Sequence, residues 1–130
     1  MEENNNLYNK KANVILDTNF LVDLFRFKLG FDDIEKVVGK RCRFLVVQQS
    51  LRELGRIKDK YAKVGLGFVD REKIKVIDAP GVTADDAIIS LVSKESFVVA
   101  TNDTKLRKKL KSLKARIIYL RAKKYLEITN

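Results

Sequence analysis

Short apolar runs alternate with stretches of helical periodicity along almost the whole chain. Asn13–Asp17 reads NVILD, an apolar run closed by an acid, and predicts a buried parallel strand. Phe20, Leu21, Leu24 and Phe25 follow at helical spacing, and a second helical piece spans Asp32–Val38 between Gly30 and Gly39. Arg43–Val47 predicts a second strand, after which Leu51, Leu54 and Ile57 mark a helix starting near Ser50. Lys60–Glu72 also reads as helix, although Gly65 and Gly67 weaken it. Lys73–Asp78 predicts a third strand, stopped by Pro80-Gly81. Ala84, Ala87, Ile88, Leu91 and Val92 then form an apolar helical stripe with Thr83 as its N-cap. Phe97–Ala100 predicts a fourth strand, Leu106, Leu110 and Leu113 carry a basic helix, and Arg116–Leu120 predicts a fifth strand. Tyr125–Thr129 has the makings of a short edge strand.

This alternation argues for a three-layer α/β/α sandwich around a mainly parallel, roughly five-stranded sheet. No repeat or linker interrupts it, so residues 12–130 are expected to form one domain behind a flexible arm, residues 1–11. The 45% hydrophobic content suffices for a core. The single cysteine, Cys42, can form neither an internal disulfide nor a zinc site alone, and reads as a small apolar residue in a reducing compartment. The polar N-terminus lacks a signal-peptide pattern and no apolar run reaches membrane-spanning length, so a soluble, cytoplasmic protein without membrane association is expected.

Charge and missing residue types narrow the chemistry. The chain carries 27 Lys+Arg against 17 Asp+Glu, a net charge of +10, which favours a polyanionic partner such as nucleic acid or else reflects a solvated, charge-rich surface. It has no histidine, which excludes His-dependent acid–base and triad mechanisms. It also lacks a glycine-rich phosphate loop.

Acids remain, and in a parallel sheet ligands bind beyond the carboxyl ends of the strands. Asp17 closes the first strand and Asp103 follows the fourth. Glu53 lies near the start of the helix after the second strand, and Asp85 and Asp86 open the helix after the third. Each acid has an ordinary reading by itself. Asp103 reads as an N-cap, Asp85 and Asp86 as helix-dipole partners, and Glu53 as a partner for Arg56. Asp17 is hardest to explain so, because a carboxylate closing an apolar strand is partly buried and needs a partner. Together, acids converging on one rim would repel one another unless a cation sat among them, and oxygen ligands without His or Cys suit Mg²⁺ or Mn²⁺. Helical phase sets Asp85 beside the apolar stripe and Asp86 nearly opposite, leaving Asp86 a supporting or capping role. Lys105, Lys108 and Lys109 share a helix face, and Arg121, Lys123 and Lys124 follow, offering a path for a nucleic-acid backbone or a solvated surface. Core or edge packing is the expected role of Tyr119 and Tyr125, with base stacking the alternative.

Four ordered segments, VILDTNFLVDL (Val14–Leu24), REL (Arg52–Leu54), TADDAII (Thr83–Ile89) and VVATND (Val98–Asp103), resemble those of PIN-domain proteins. The resemblance spans essentially the whole chain. It implies a metal-dependent, single-strand-specific endoribonuclease fold, with Asp17, Glu53, Asp85 and Asp103 as catalytic and metal-binding acids around one or two Mg²⁺ or Mn²⁺ ions. Asn19 and Thr101 would be their polar supports. The TNF after Asp17, the ADD pair and the late IIYLR segment are most similar to endonucleases that process small-subunit ribosomal RNA, so pre-rRNA is the implied partner, with a homodimer possible. The resemblance equally accommodates a toxin ribonuclease paired with an antitoxin protein. A non-catalytic RNA-binding or ribosome-assembly factor on the same fold is the third reading.

Overall fold

The computed structural model describes residues 10–71 and 73–129. Most of the expected arm therefore lies outside the described residues, and Lys10 and Lys11 are exposed without regular structure. In chain order the elements are β1 (Ala12–Leu16), α1 (Thr18–Arg26), α2 (Phe31–Val38), β2 (Cys42–Val47), α3 (Gln48–Arg56), α4 (Lys60–Asp70), β3 (Lys75–Ile77), α5 (Ala84–Lys94), β4 (Val98–Ala100), α6 (Thr104–Ser112), β5 (Arg116–Arg121) and β6 (Tyr125–Ile128).

The strands form one sheet in the order β3-β2-β1-β4-β5-β6. The first five are parallel, and β6 pairs antiparallel to β5. The expected α/β sandwich is thus present, with Tyr125–Ile128 supplying a sixth, edge strand. Central strands read as unbroken apolar runs because both of their faces are covered. Val14 and Leu16 enter a core shared with Phe20, Leu24, Ile34 and Leu54, while Ile15 enters the opposite core with Ala87, Ile88, Leu106 and Leu110. In the first core Phe25 stacks on Phe68 at 5.0 Å, and Phe31 meets both rings edge-on. Cys42 is buried at this core's margin, its thiol pushed up to about 11 by burial and by Glu35.

The described part of α4 runs through both glycines that weaken it in the sequence. A Cβ at Gly65 would stand 3.2 Å from the Leu21 side chain, so the missing side chain is what lets α4 lie close against α1. Strands β3 and β4 are shorter than the runs that announce them, three residues each. Leu113 does not join the stripe of α6: it is the C-cap and 43% exposed, whereas Leu106 and Leu110 are fully buried.

The order of strands reverses direction between β1 and β4. This opens a crevice at their carboxyl ends, where ligands bind in sheets of this kind.

Candidate active site

Leu16 pairs with Ala100, so Asp17 and Thr101 leave the sheet side by side. The Asp17 N–H still donates to the Ala100 carbonyl at 2.9 Å, which holds the acid at the strand end. Asp17 is 4% exposed and Thr101 fully buried. A carboxylate so placed needs donors. Asp17 Oδ2 accepts from the Thr101 hydroxyl at 2.7 Å, and Oδ1 accepts from the Thr18 N–H at 2.9 Å.

From there the hydrogen bonds run outward in both directions. Thr101 Oγ1 accepts from the Asp103 N–H at 3.1 Å. The Thr18 hydroxyl donates to Glu53 Oε1 at 2.7 Å, and Glu53 Oε2 accepts from the Ala84 N–H at the start of α5 at 3.3 Å. One chain of bonds therefore ties together the ends of β1 and β4, the starts of α1 and α5, and the second turn of α3, which begins at Gln48 and so places Glu53 further from its start than the sequence suggests. Glu53 is engaged here, and its expected pairing with Arg56 does not occur among the described ion pairs.

The remaining acids divide between capping and the rim. Asp103 caps α6, its Oδ1 accepting from the N–H groups of Lys105 and Leu106 at 2.8 and 3.2 Å. Its other oxygen accepts no hydrogen bond from a described residue. Asp86 is exposed and closes a capping box with Thr83. Asp85, next to it, is half-buried and within electrostatic reach of Asp103 and Glu53. Asn19 is exposed on a groove of ≈ 400 Å³ that also touches Asp23, Arg26, Asn102 and Asp103. Asn102 braces that wall, donating to Asp23 Oδ2 at 3.1 Å and accepting from the Leu120 N–H at 2.7 Å.

The electrostatics follow from this crowding. Burial, with Asp85 and Glu53 adding to it, pushes the Asp17 carboxyl up to about 6, against the opposing pull of the Thr101 hydrogen bond. Asp85 is raised as well, first by burial, then by Asp103 and Glu53, with Lys109 opposing. Among the described residues, no three acids or cysteines stand close enough together to hold a metal ion as they are. The donor set nonetheless fits a hard divalent cation: Asp17 and Glu53 keep spare lone pairs beyond the bonds named, Asp103 keeps an oxygen, and a positive charge would relieve the repulsion acting on Asp17 and Asp85.

Two further site residues carry little signal in the sequence. Thr18 bridges Asp17 and Glu53, and its only sequence signal is a hydroxyl beside the acid at a helix start. Gln49 is buried and donates from Nε2 to the carbonyls of Ala79 and Gly81, at 2.9 and 2.7 Å, so it fastens the loop that delivers α5. The basic residues lie beside the rim. Lys105, Lys108 and Lys109 are exposed on α6, and Lys123 and Lys124 on the β5–β6 turn, while Arg121 is held by Glu127 at 2.8 Å. Tyr119 is not open for stacking, because the Arg107 guanidinium covers its ring at 4.0 Å and its hydroxyl donates to Glu127.

Comparison with known proteins agrees with this architecture. The chain is similar to Ribonuclease VapC4 of Methanocaldococcus jannaschii, 32% identical over 125 residues that cover 88% of this chain and 95% of that protein. Its fold is similar to that of the PIN domain endonuclease Utp24, with a TM-score of 0.79 at 22% identity, covering 89% of this chain and 90% of the other. The family described as PIN like domain matches residues 14–123, from the middle of β1 through the β5–β6 turn. That stretch contains the whole parallel sheet crevice and every acid on its rim, and the chain belongs to the PIN-like domain family.

Proposed function

We propose that this protein is a divalent-metal-dependent endoribonuclease that hydrolyses phosphodiester bonds in single-stranded RNA. The observation that carries the reading is the buried Asp17, hydrogen-bonded on both oxygens and pushed up to about 6 at the meeting point of four acid-bearing segments. A chain with a net charge of +10 that concentrates acids at one crevice is suited to a polyanion whose scissile phosphate meets a cation. The similarity to a protein named as a ribonuclease supports RNA as the substrate class.

In this reading Asp17, Glu53, Asp85 and Asp103 hold Mg²⁺ or Mn²⁺, one ion or two. The bound cation supplies a Lewis acid for the phosphodiester and acidifies the attacking water. Thr101 and Thr18 fix the Asp17 carboxylate, and Thr18 fixes Glu53 with it. Asp86 secures the helix that presents Asp85, and Asn19 faces the adjoining groove. Lys105, Lys108, Lys109, Lys123 and Lys124 contact backbone phosphates on either side, with Arg121 sharing its charge with Glu127. Attack by water, and not by the 2′-hydroxyl, leaves 5′-phosphate and 3′-hydroxyl ends.

The setting we propose is ribosomal RNA processing, on the TNF, ADD and IIYLR segments of the sequence. The likeness to Utp24 supports the fold alone. A toxin ribonuclease would be distinguished by growth arrest on expression, relieved by a small protein encoded beside it.

The direct test is incubation of the protein and its Asp17→Asn variant with end-labelled single-stranded RNA in Mn²⁺, Mg²⁺ or EDTA. Cleavage that requires both metal and Asp17 is expected. Binding without cleavage, unchanged by metal or by the substitution, would overturn the enzyme reading in favour of an RNA-binding factor.

A further inference from the structure

The other end of the sheet carries a second charged feature. A groove of ≈ 570 Å³ runs beneath the amino ends of β1, β4 and β5, opposite the acidic rim. Lys10, Lys11, Lys40, Lys114 and Arg116 line it, and all five are exposed. None of them enters an ion pair among the described residues, where the paired cations are Arg26 and Arg121. Among the described residues Glu95 is the one acid on its walls. Between the cations the groove has an apolar strip that includes Phe97 and the 43%-exposed Leu113.

Five cations around one groove, none in an ion pair among the described residues, concentrate counter-ions, and a polyanion that displaces them gains affinity through their release. An apolar strip with an aromatic ring between such cations is the arrangement that single-stranded nucleic acid exploits, phosphates on the charges and bases on the strip. The groove and the acidic rim lie at opposite ends of strands about five residues, or roughly 17 Å, long, so one RNA fills both only if it is long enough to pass around the molecule, whereas a short oligonucleotide fills one or the other.

We infer that the groove is an anchoring site for the backbone of single-stranded RNA, separate from the acidic crevice and engaged together with it only by long substrates. This rests on the reading of RNA as the substrate class and extends it to a surface that carries no catalytic acid. The groove acts on capture of the substrate and leaves the chemical step alone.

The test uses the full chain with Lys40, Lys114 and Arg116 all replaced by glutamine. These exposed positions lie outside the crevice, and an unchanged thermal melt verifies folding. Binding of a long single-stranded RNA and of a pentanucleotide is measured in EDTA across a salt series, so the result does not depend on whether the protein cleaves. Affinity for the long RNA is expected to fall about tenfold at physiological salt, and the slope of log affinity against log salt to shrink by about 2, at ~0.7 for each phosphate no longer neutralised. Pentanucleotide binding falls much less, because the crevice still takes it, and in Mn²⁺ the variant shows a raised KM for long RNA at constant kcat. An unchanged long-RNA affinity and slope overturns the inference, as does an equal loss for both lengths. Competition by polyglutamate as effective as by RNA overturns the assignment to nucleic acid and marks the groove as a docking surface for acidic protein.

Discussion

Thr101 donates its hydroxyl to Asp17 Oδ2 across 2.7 Å, although 84 residues separate the two in the chain. The bond exists because β1 and β4 are neighbours at the centre of the sheet, and it lowers the energy of a buried ionised carboxylate. Thr101→Val keeps the shape and removes the donor. It should cost about 2 kcal/mol at pH 7, the range for a hydrogen bond to a charged acceptor, and raise the Asp17 carboxyl further. Urea unfolding of Thr101→Val beside Thr101→Ser checks this: serine should recover most of the stability that valine forfeits, and a valine variant as stable as wild type removes the role assigned to the bond.

Asp17→Asn should abolish metal-dependent cleavage while stabilising the metal-free protein at pH 7. An upward shift of about two pKa units corresponds to roughly 3 kcal/mol against the ionised form, and asparagine removes that charge. Divalent metal should raise the melting temperature of wild type and leave the variant unmoved. A variant that melts lower than wild type in EDTA and still responds to Mn²⁺ would remove Asp17 from the metal site.

The same shift fixes the sign of a pH dependence. The folded carboxyl, at about 6, lies above its unfolded value near 3.8, so the folded state binds the proton more tightly. The stability from this proton is fully present below the unfolded value and is lost as pH rises through about 6. In EDTA, wild type should therefore gain stability relative to Asp17→Asn between pH 7.5 and pH 4.5. Comparing the two proteins cancels the opposite contribution of acids such as Asp59 and Glu127, whose carboxyls are lowered. A difference that stays flat across the window contradicts the assignment.

Gly81 and Gly39 give a paired prediction. Both have positive φ, 142° and 85°. A Cβ at Gly81 would meet Asp86 Cβ at 2.7 Å and the Ala87 N at 2.8 Å, while one at Gly39 meets nothing within 4 Å. Gly39→Ala should cost about 1 kcal/mol of backbone strain alone, and Gly81→Ala about 2–4 kcal/mol because the loop must also leave α5. Chemical denaturation separates them. The Gly81 variant should also lose RNA cleavage beyond its loss of stability, since the displaced loop carries α5 and Asp85 with it.

At the β5–β6 turn Ala122 and Lys123 both adopt φ 55°, a left-handed pair that asparagine and glycine fill more readily. Ala122→Asn should stabilise the protein by about 0.5–1 kcal/mol without altering cleavage. A melting temperature that fails to rise contradicts the strain assigned to this turn.

How far the sequence alone leads depends on how local each feature is. NVILD is legible as a strand with an acid at its end because both sheet faces are buried there, and Thr83 is legible as a cap because its partner lies three residues on. The convergence of Asp17, Asp85 and Asp103 on one rim follows from strand ends and helix starts, whereas Glu53 reaches it from the second turn of its helix. The bonds that fix it do not, since Thr18 reaches Glu53 across 35 residues and Gln49 reaches Gly81 across 32. The path of α4 through Gly65 is invisible locally, being set by Leu21 on another helix. Asp103 is expected as a cap or as a rim acid, and its two oxygens divide accordingly, one on α6 and one left over.

The central pairing of β1 with β4 has a consequence for the growing chain. No amino-terminal fragment that stops before Thr101 contains the assembled crevice, because Asp17 then lacks its hydroxyl partner and the rim lacks Asp103. During synthesis the acids stay scattered along an unfinished sheet until β4 and Asp103 have left the ribosome. A site built in this way is completed by its most distant strand, however well the segments before it have already folded.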